Sequence, residues 1–114
     1  MKFVNLTPHT ITLAITDAGI DYVELPSQGV ARVNSTPGKV SYRDLVPVYE
    51  ADVVGEVIDL PEPKTNTRYI VSGMVGSAIK GTRDDILVPG TGPEDSAIRN
   101  EKGHIVAVTR LKKP

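Results

Sequence analysis

The chain has 114 residues, a formal net charge of −1 and no cysteine, and its length suits one domain over residues 1–114. The missing cysteine excludes disulfide scaffolds, zinc–thiolate sites and a cysteine nucleophile, and the small net charge gives no general attraction to nucleic acid. No apolar run reaches membrane-spanning length and no apolar leader opens the chain, so we expect a cytoplasmic protein that binds no membrane.

The distribution of apolar and charged residues gives two further expectations. Four Tyr and one Phe are the only aromatic residues, so Val, Ile and Leu must fill the core, and their β-branched bias favours strands. Residues 1–63 contain four basic and nine acidic side chains, whereas residues 64–114 contain nine basic and five acidic ones. This asymmetry predicts an anionic ligand near the second half, or attraction between the two halves within or between subunits.

The beginning of the chain predicts short strands joined by turns. The predicted strands are Phe3–Leu6, Thr10–Ile15, Ile20–Leu25 and Val30–Val33. A turn at Asp17, Ala18 and Gly19 makes the second and third strands a β-hairpin. Pro8 fixes φ and lacks an N–H donor, so the segment Thr7 to His9 is predicted to be a turn, a bulge or a strand edge.

The middle of the chain is less regular. Asn34–Gly38 is rich in turn residues and predicts a loop. Lys39–Glu50 is ambiguous, since its Val and Tyr residues suit strands while Pro47 limits pairing inside a sheet. Ala51–Leu60 is a further strand candidate in which Gly55 is a possible bulge, and Pro61–Thr67 is an exposed connector.

The longest apolar-rich stretch extends from Tyr69 to Gly90. It predicts a strand at Tyr69–Val71 that is covered on both faces, then a two-turn helix that begins after Ser72 and stops near Gly81. The spacing of four helix residues predicts that they share one buried face: Met74, Val75, Ala78 and Ile79. A second strand follows at Ile86–Val88, and the sequence leaves open whether the two strands are parallel neighbours or lie in different layers.

The end of the chain predicts a hairpin and a tail. Ser96–Arg99 and His104–Leu111 flank a polar turn, and Lys112–Pro114 is expected to be a solvated tail. Taken together, the elements predict an α+β domain of mainly antiparallel β-strands with one short helix in the second half. Many short strands with free edges also predict a homo-oligomer formed through strand or hairpin contacts.

Two features together form a pattern. One is the segment Val4–His9 near the start of the chain, and the other is the later series Tyr69–Ser72, Arg83–Gly90 and Ile98–Val106. This combination resembles small, mostly uncharacterised phage and prophage proteins that open with an NLTPH segment and end with an RxDxxxPG…RxxxGxI pattern. The resemblance covers roughly two-thirds of the chain and implies a phage context, in which many small proteins block host defences or assist assembly.

The start of the predicted helix is a candidate anion site. Ser72 and Gly73 precede free N–H groups, and Ser77 extends a small, open surface. The spacing of the glycines matches neither the G-x-x-x-x-G-K-[ST] phosphate loop nor the G-x-G-x-x-G fingerprint of dinucleotide-binding proteins. Ordinary N-capping of the helix by Ser72 is the alternative. Thr7 and His9 are candidates to bind the other side of the same ligand. His9 could bind a phosphate or act as a general base, and the alternative is that its ring caps a bulge through a backbone hydrogen bond.

Charged residues after the helix are further candidates. Arg83 can bind a phosphate bidentately with Asp85 positioning it, whereas a plain intramolecular ion pair is the alternative. Asp84 and Asp85 can also be considered as magnesium ligands, although adjacent residues of a strand point apart. Arg99 is a possible phosphate donor on the last hairpin.

The functional hypothesis that follows is non-enzymatic binding. We expect sequestration of a small anionic, nucleotide-derived ligand, as in a phage anti-defence sponge for an immune signalling molecule. The ligand-binding candidates are Thr7, His9, Ser72, Gly73, Ser77, Arg83, Asp85 and Arg99. No catalytic residue, metal ion or cofactor is expected. The alternatives are a phage structural or host-protein-binding protein, and a small phosphoesterase that uses His9 and Asp85.

Overall fold

The computed structural model describes residues 1–15, 21–36, 38–50 and 53–114, which form β-strands and one short α-helix. The predicted turn at residues 17–19 lies outside the described residues. The first half forms β1 (Lys2–Asn5), β2 (Ile11–Ile15), β3 (Asp21–Leu25), β4 (Arg32–Thr36), β5 (Val40–Arg43), β6 (Val46–Tyr49) and β7 (Val53–Ile58). The second half forms β8 (Thr67–Ile70), α1 (Gly73–Ala78), β9 (Ile86–Pro89), a 3-10 helix (Pro93–Asp95), β10 (Ile98–Arg99), β11 (Ile105–Ala107) and β12 (Leu111–Lys112).

A four-stranded sheet in the order β1-β8-β9-β12 forms the centre of the molecule. Strands β1, β8 and β9 are parallel, and β12 is antiparallel to β9. The remaining ladders, β2–β3, β4–β7, β5–β6 and β10–β11, are antiparallel. The expectation of mainly antiparallel strands therefore fails for the central sheet. The segment that contains α1 is long enough to return the chain to the same end of the sheet, which makes β8 and β9 parallel neighbours.

Strand β8 is covered on both faces, as its apolar run predicts. Tyr69 and Val71 belong to a cluster that packs beneath α1, whereas Ile70 belongs to a second cluster on the opposite face with Ile11 and Val108. Alternating side chains of a strand point to opposite faces, so a run without polar residues must be enclosed from both sides.

The helix packs on the sheet through its smallest residue. A Cβ atom added to Gly76 would lie 2.6 Å from Cγ1 of Val88, so α1 approaches β9 more closely than any larger residue would allow. Val75 and Gly76 are buried. The predicted apolar face is wrong in part: the Met74 side chain is 68% exposed, and Ala78 is exposed as well. The close approach at Gly76 turns the helix so that Met74 faces solvent.

The ladders β4–β7 and β5–β6 have the same register at the ends that face each other, and their described residues, 32–36, 38–50 and 53–58, are called the ribbon here. Thr36 pairs with Val53 in β4–β7, and Val40 pairs with Tyr49 in β5–β6, so both strands advance by four residues between the two ladders. Strand β4 thus extends into the loop predicted for residues 34–38. The ambiguous segment 39–50 is a hairpin that continues the ribbon.

The ribbon contains the predicted bulge at Gly55. The pairs Val33–Val57 and Ser35–Val54 leave Gly55 and Glu56 opposite the single residue Asn34. A Cβ atom on Gly55 would lie 3.0 Å from the carbonyl oxygen of Asn34. Glycine suits this position because the two backbones approach closely at the bulge.

The solvated tail predicted for Lys112–Pro114 is wrong in part. Lys112 is half-buried and belongs with Leu111 to β12, which pairs with Val88 and Pro89 at the edge of the central sheet, whereas Lys113 is exposed. Hydrophobic alternation does not reveal this short strand, because it is only two residues long. Its position depends on ion pairs described below.

Candidate functional site

An open cleft of about 550 Å³ lies at the amino end of β9. The turn between α1 and β9 forms one wall, and the last residues of the chain form another. The lining residues are Pro63, Gly81, Thr82, Arg83, Asp84, Asp85, Ile86, Lys113 and Pro114. The cleft therefore brings two basic and two acidic side chains from separate parts of the sequence to one place.

Arg83 is held rigidly in this cleft. Its Nε and Nη2 atoms donate to the two carboxylate oxygens of Asp85 at 2.9 and 2.7 Å, and Nη1 donates to the carbonyl of Pro61 at 2.9 Å. The guanidinium carbon lies 5.7 Å from the ring centre of Tyr69, within cation–π range. The alternative of an intramolecular ion pair is thus confirmed. These contacts within the described residues use three of the five N–H groups, which leaves two for a ligand.

The ion pair fixes the charge of both partners. Two side-chain hydrogen bonds from Arg83 hold the pKa of the Asp85 carboxyl below its usual value, although burial opposes this shift. The same hydrogen bonds raise the pKa of Arg83. At neutral pH Asp85 is a carboxylate that orients Arg83, which makes it a poor proton donor.

The remaining charged groups of the cleft are open to solvent. Asp84 and Lys113 both line the cleft, and both are exposed. Thr82 helps to form the turn because its Oγ1 donates to the carbonyl of Ile79 at 2.6 Å. Gly81 has a φ of +81° in this turn, a conformation that glycine adopts without strain.

The predicted Thr7 to His9 turn is organised by the buried side chain of Asn5. Asn5 Nδ2 donates to the carbonyls of His9 and Leu25, both at 2.8 Å. Asn5 Oδ1 accepts hydrogen bonds from the Thr7 N–H at 2.9 Å and from Thr7 Oγ1 at 2.6 Å. The Thr7 hydroxyl is buried in this network, whereas the His9 side chain is exposed beside a shallow groove that includes Pro89.

The side chain of Ser72 already binds a free N–H group at the start of the helix. Ser72 caps α1 by accepting a hydrogen bond from the Val75 N–H at 3.4 Å, which is the N-capping alternative. Gly73 and Ser77 lie on the exposed side of this six-residue helix, beside Met74. No basic side chain lines this surface among the described residues.

Arg99 stabilises the final hairpin. Its Nη1 donates to the carbonyl of Gly103 at 2.8 Å across the turn. The turn is fixed further by Asn100 Oδ1, which accepts from the N–H groups of Lys102 and His104 at 3.0 Å. Arg99 does not line the cleft at β9.

The eight residues predicted to bind the ligand therefore do not form one site. Asp85 precedes β9, whereas Ser72 follows β8, and the pairing of Tyr69 with Ile86 puts them at opposite ends of the sheet. Four residues of strand separate these ends, which is roughly 13 Å. His9 lies at the Ser72 end, beside Pro89. The structure brings together Arg83 and Asp85, and it brings neither His9 nor Ser72 to them.

Sequence reasoning missed a second buried carboxylate, Asp95. It accepts hydrogen bonds from the Gly92 N–H at 2.9 Å, from Arg110 Nε at 2.8 Å and from Lys112 Nζ at 3.2 Å. Burial raises the pKa of Asp95, but these three donors outweigh it and hold the pKa below its usual value. The i, i+2 spacing of Arg110 and Lys112 is the signal that could have found it, because it places two cations on one side of an extended chain.

The described residues contain no group of three His, Asp or Glu side chains that would hold a metal ion, which leaves Asp84 and Asp85 without a third ligand. In the same part of the chain, no helix is long and apolar enough to cross a membrane. No protein-family model matches the chain, and no curated protein or solved structure shows significant similarity to it.

Proposed function

We propose that this protein binds, without transforming it, a small anionic ligand derived from a nucleotide in the cleft at the amino end of β9. The observation that carries this proposal is the meeting of Arg83 and Lys113 in a cleft of about 550 Å³. Ligand pockets commonly measure about 300–1,000 Å³, so the space suits a nucleotide.

The charges of the cleft favour a nucleotide over a simple anion. Lys113 and the two remaining N–H groups of Arg83 are suitable donors to a phosphate, because Asp85 and Pro61 hold the guanidinium in place. Asp84 lies on the same cleft and repels a bare phosphate, but its carboxylate is a good acceptor for ribose hydroxyl groups. A ligand with both a phosphate and hydroxyl groups satisfies all of these side chains.

The biological setting of this proposal follows from the resemblance to phage and prophage proteins. A phage protein that binds a nucleotide without transforming it acts as a sponge in the cytoplasm of the bacterial host. There it lowers the free concentration of an immune signalling molecule and so blocks the defence that the molecule activates.

Isothermal titration calorimetry tests the cleft directly. The ligands are inorganic phosphate, ADP-ribose, and cyclic mono- and dinucleotides, each titrated into the wild type, Lys113→Ala and Lys102→Ala. We expect binding of one nucleotide class, a dissociation constant raised about tenfold in Lys113→Ala through the lost charge-assisted hydrogen bond, and no change in Lys102→Ala. Lys102 is a matched control because it is an exposed lysine on the final hairpin.

The absence of heat with every ligand would contradict the proposal. Equal weakening by both lysine substitutions would contradict it too, since that result indicates nonspecific attraction. Ligand released intact from the denatured complex separates binding from turnover.

A second candidate function is a phage structural role or the binding of a host protein by strand addition. It is favoured by the exposed ribbon of residues 39–50, which carries several apolar side chains. Co-purification of a host protein with the tagged wild type, together with no heat from any nucleotide, is the result that favours this candidate.

A further inference from the structure

Residues 109–114 lie along β9 and are called the strap here. The Gly90 N–H donates to the carbonyl of Arg110 at 2.9 Å, and β12 continues this antiparallel pairing along β9. The strap therefore follows β9 from its carboxyl end towards its amino end. There, Lys113 and Pro114 line the cleft.

Asp95 anchors the strap from outside the cleft, which it does not line. Its main-chain carbonyl accepts a hydrogen bond from the Thr109 hydroxyl at 2.8 Å. Its carboxylate accepts from Arg110 Nε at 2.8 Å and from Lys112 Nζ at 3.2 Å. The Asp95 side chain is 1% exposed, so water competes little with these contacts. One residue of the 3-10 helix thus binds the strap at three points.

The other contacts of the strap are short-range. Strand β12 is two residues long, and the half-buried Leu111 packs against the second hydrophobic cluster. Pro114 lies against α1, since a Cβ atom added to Gly76 would be 3.3 Å from Cβ of Pro114. Hydrogen bonds between charged groups are about twice as strong as neutral ones. We therefore expect the contacts with Asp95 to be the main restraint on the strap.

This restraint acts directly beside the cleft. Arg110 and Lys112 are two residues apart, so their side chains lie on the same side of the extended strap and reach the same carboxylate. Lys113 is the next residue, and it follows a backbone position that is already fixed. An ammonium group with restricted freedom loses less conformational entropy when it binds a phosphate.

We propose that Asp95 is a positioning residue for the nucleotide site, because it anchors the strap and so holds Lys113 at the cleft. This inference rests on the proposed function, since Lys113 contributes to binding only when the cleft takes an anionic ligand. The coupling is reciprocal: a ligand that binds Lys113 in the docked strap stabilises the docking of the strap on β9 by the same factor.

A spin label tests the positioning without any ligand. The chain has no cysteine, so Lys113→Cys provides a single attachment site, and Lys102→Cys on the final hairpin is the matched control. We expect the electron paramagnetic resonance spectrum to show restricted motion at position 113. Asp95→Asn should increase this motion and leave the motion at position 102 unchanged.

A second substitution protects the test against misfolding. Lys112→Met weakens the anchor from the side of the strap, while the Asp95 carboxylate keeps its contacts with Arg110 and the Gly92 N–H. It should increase the motion at position 113 as well. Circular dichroism shows whether each variant is folded, and Lys112→Met decides if Asp95→Asn is not.

Titration calorimetry with ADP-ribose and with cyclic mono- and dinucleotides separates positioning from general damage to the fold. Asp95→Asn and Lys112→Met should each raise the dissociation constant by about threefold to about tenfold, within the loss expected for Lys113→Ala. In the Lys113→Ala background neither should weaken binding further, because Asp95 acts through Lys113. A merely structural role would weaken binding in both backgrounds.

Three results would overturn the proposal. Unchanged motion at position 113 in the folded variants means that the ladder and Leu111 hold the strap alone. Equal weakening with and without Lys113 means that Asp95 supports the whole fold. Binding that is sensitive to Lys113→Ala and insensitive to Asp95→Asn overturns this inference and leaves the proposed function standing, whereas no heat from any nucleotide with the wild type overturns both.

Discussion

Asp84 and Asp85 are neighbours in the sequence with opposite surroundings. Asp85 is buried against Arg83, while Asp84 is exposed and makes no ion pair among the described residues. The hydrogen bonds from Arg83 lower the pKa of Asp85, and the donors around Asp95 lower the pKa of that carboxyl as well. Acid should therefore destabilise the fold through these two buried carboxylates.

The sign of this effect follows from proton binding. An unfolded Asp has a pKa of about 3.9, so below about pH 5 the unfolded chain binds more protons than the folded one. The free energy of unfolding should be constant near pH 7 and should fall as the pH falls through the lowered pKa of Asp85. Urea denaturation at a series of pH values measures it.

Two Asp→Asn substitutions test whether the buried Asp85 causes this pH dependence. Asp85→Asn should lower stability at pH 7 and reduce the acid dependence to the part that Asp95 contributes, because one of the two titrating carboxyl groups is gone. Asp84→Asn should keep the wild-type dependence. Parallel pH curves for the wild type and Asp85→Asn would show that the acid sensitivity arises elsewhere.

The sequence reveals some residue roles and conceals others. The pairing of Arg83 with Asp85 can be anticipated, because the i, i+2 spacing brings the two side chains to one side of an extended chain. The role of Asn5 cannot, since an amide beside an apolar run gives no sign of four hydrogen bonds to residues up to twenty positions away. Networks of this kind depend on tertiary contacts that local patterns do not encode.

For the substitution Gly76→Ala in α1, helix propensity and packing predict opposite changes in stability. Propensity alone predicts that Gly76→Ala stabilises the helix by up to about 1 kcal/mol. The structure predicts the opposite, a loss of about 1–3 kcal/mol, because the added Cβ would lie 2.6 Å from Val88 Cγ1. Gly73→Ala is the matched control, since a Cβ atom added at Gly73 would meet no other element within 4 Å among the described residues.

Thermal and urea denaturation of the two alanine variants provide the comparison. Gly73→Ala should be neutral or stabilising by up to about 1 kcal/mol, whereas Gly76→Ala should lower the midpoint. A gain from both substitutions would mean that α1 moves away from β9 at little cost.

Elements with a strong local pattern can be predicted, and elements set by distant contacts cannot. Strand β8 and the Ser72 cap follow from a continuous apolar run and a capping residue. The exposure of Met74 depends on how closely Gly76 approaches Val88, which the helix periodicity does not determine. The hairpin at residues 39–50 is ambiguous in the sequence because both of its faces are exposed, which removes the polar–apolar alternation on which strand prediction depends.

At the scale of the molecule, the central sheet joins segments that are far apart in the sequence. Strand β1 pairs with β8, and β12 pairs with β9, so both flanks of the sheet come from regions near residues 1 and 114. Such a topology makes folding depend on contacts that close late, because long loops must be ordered before these pairs form.

Deletion of residues 111–114 tests the contribution of β12. It removes Leu111 from the second cluster and removes Lys112 from Asp95. We expect a loss of at least about 1 kcal/mol from the half-buried Leu111 side chain, measured by urea denaturation. Deletion of residues 113–114 is the control, because it leaves β12 in place, and a similar loss in both deletions would contradict the role of the strand.

The molecule is longer than its chain length implies. Its principal extents are 60 × 39 × 22 Å and its radius of gyration is 17.2 Å, whereas a compact domain of this length has about 13 Å. Residues 39–50 are all exposed and belong to neither core cluster, which agrees with so extended a shape.

The common register of the two ladders restricts how the length of the ribbon can change. Thr36 with Val53 and Val40 with Tyr49 are equally spaced along both strands, so lengthening the ribbon requires matched insertions on the two sides. Two added residues per strand move the tip outward by about 7 Å and keep Tyr42 and Tyr49 on the same face. One added residue per strand turns both tyrosines to the opposite face. Relatives of this chain should therefore vary in ribbon length by even steps.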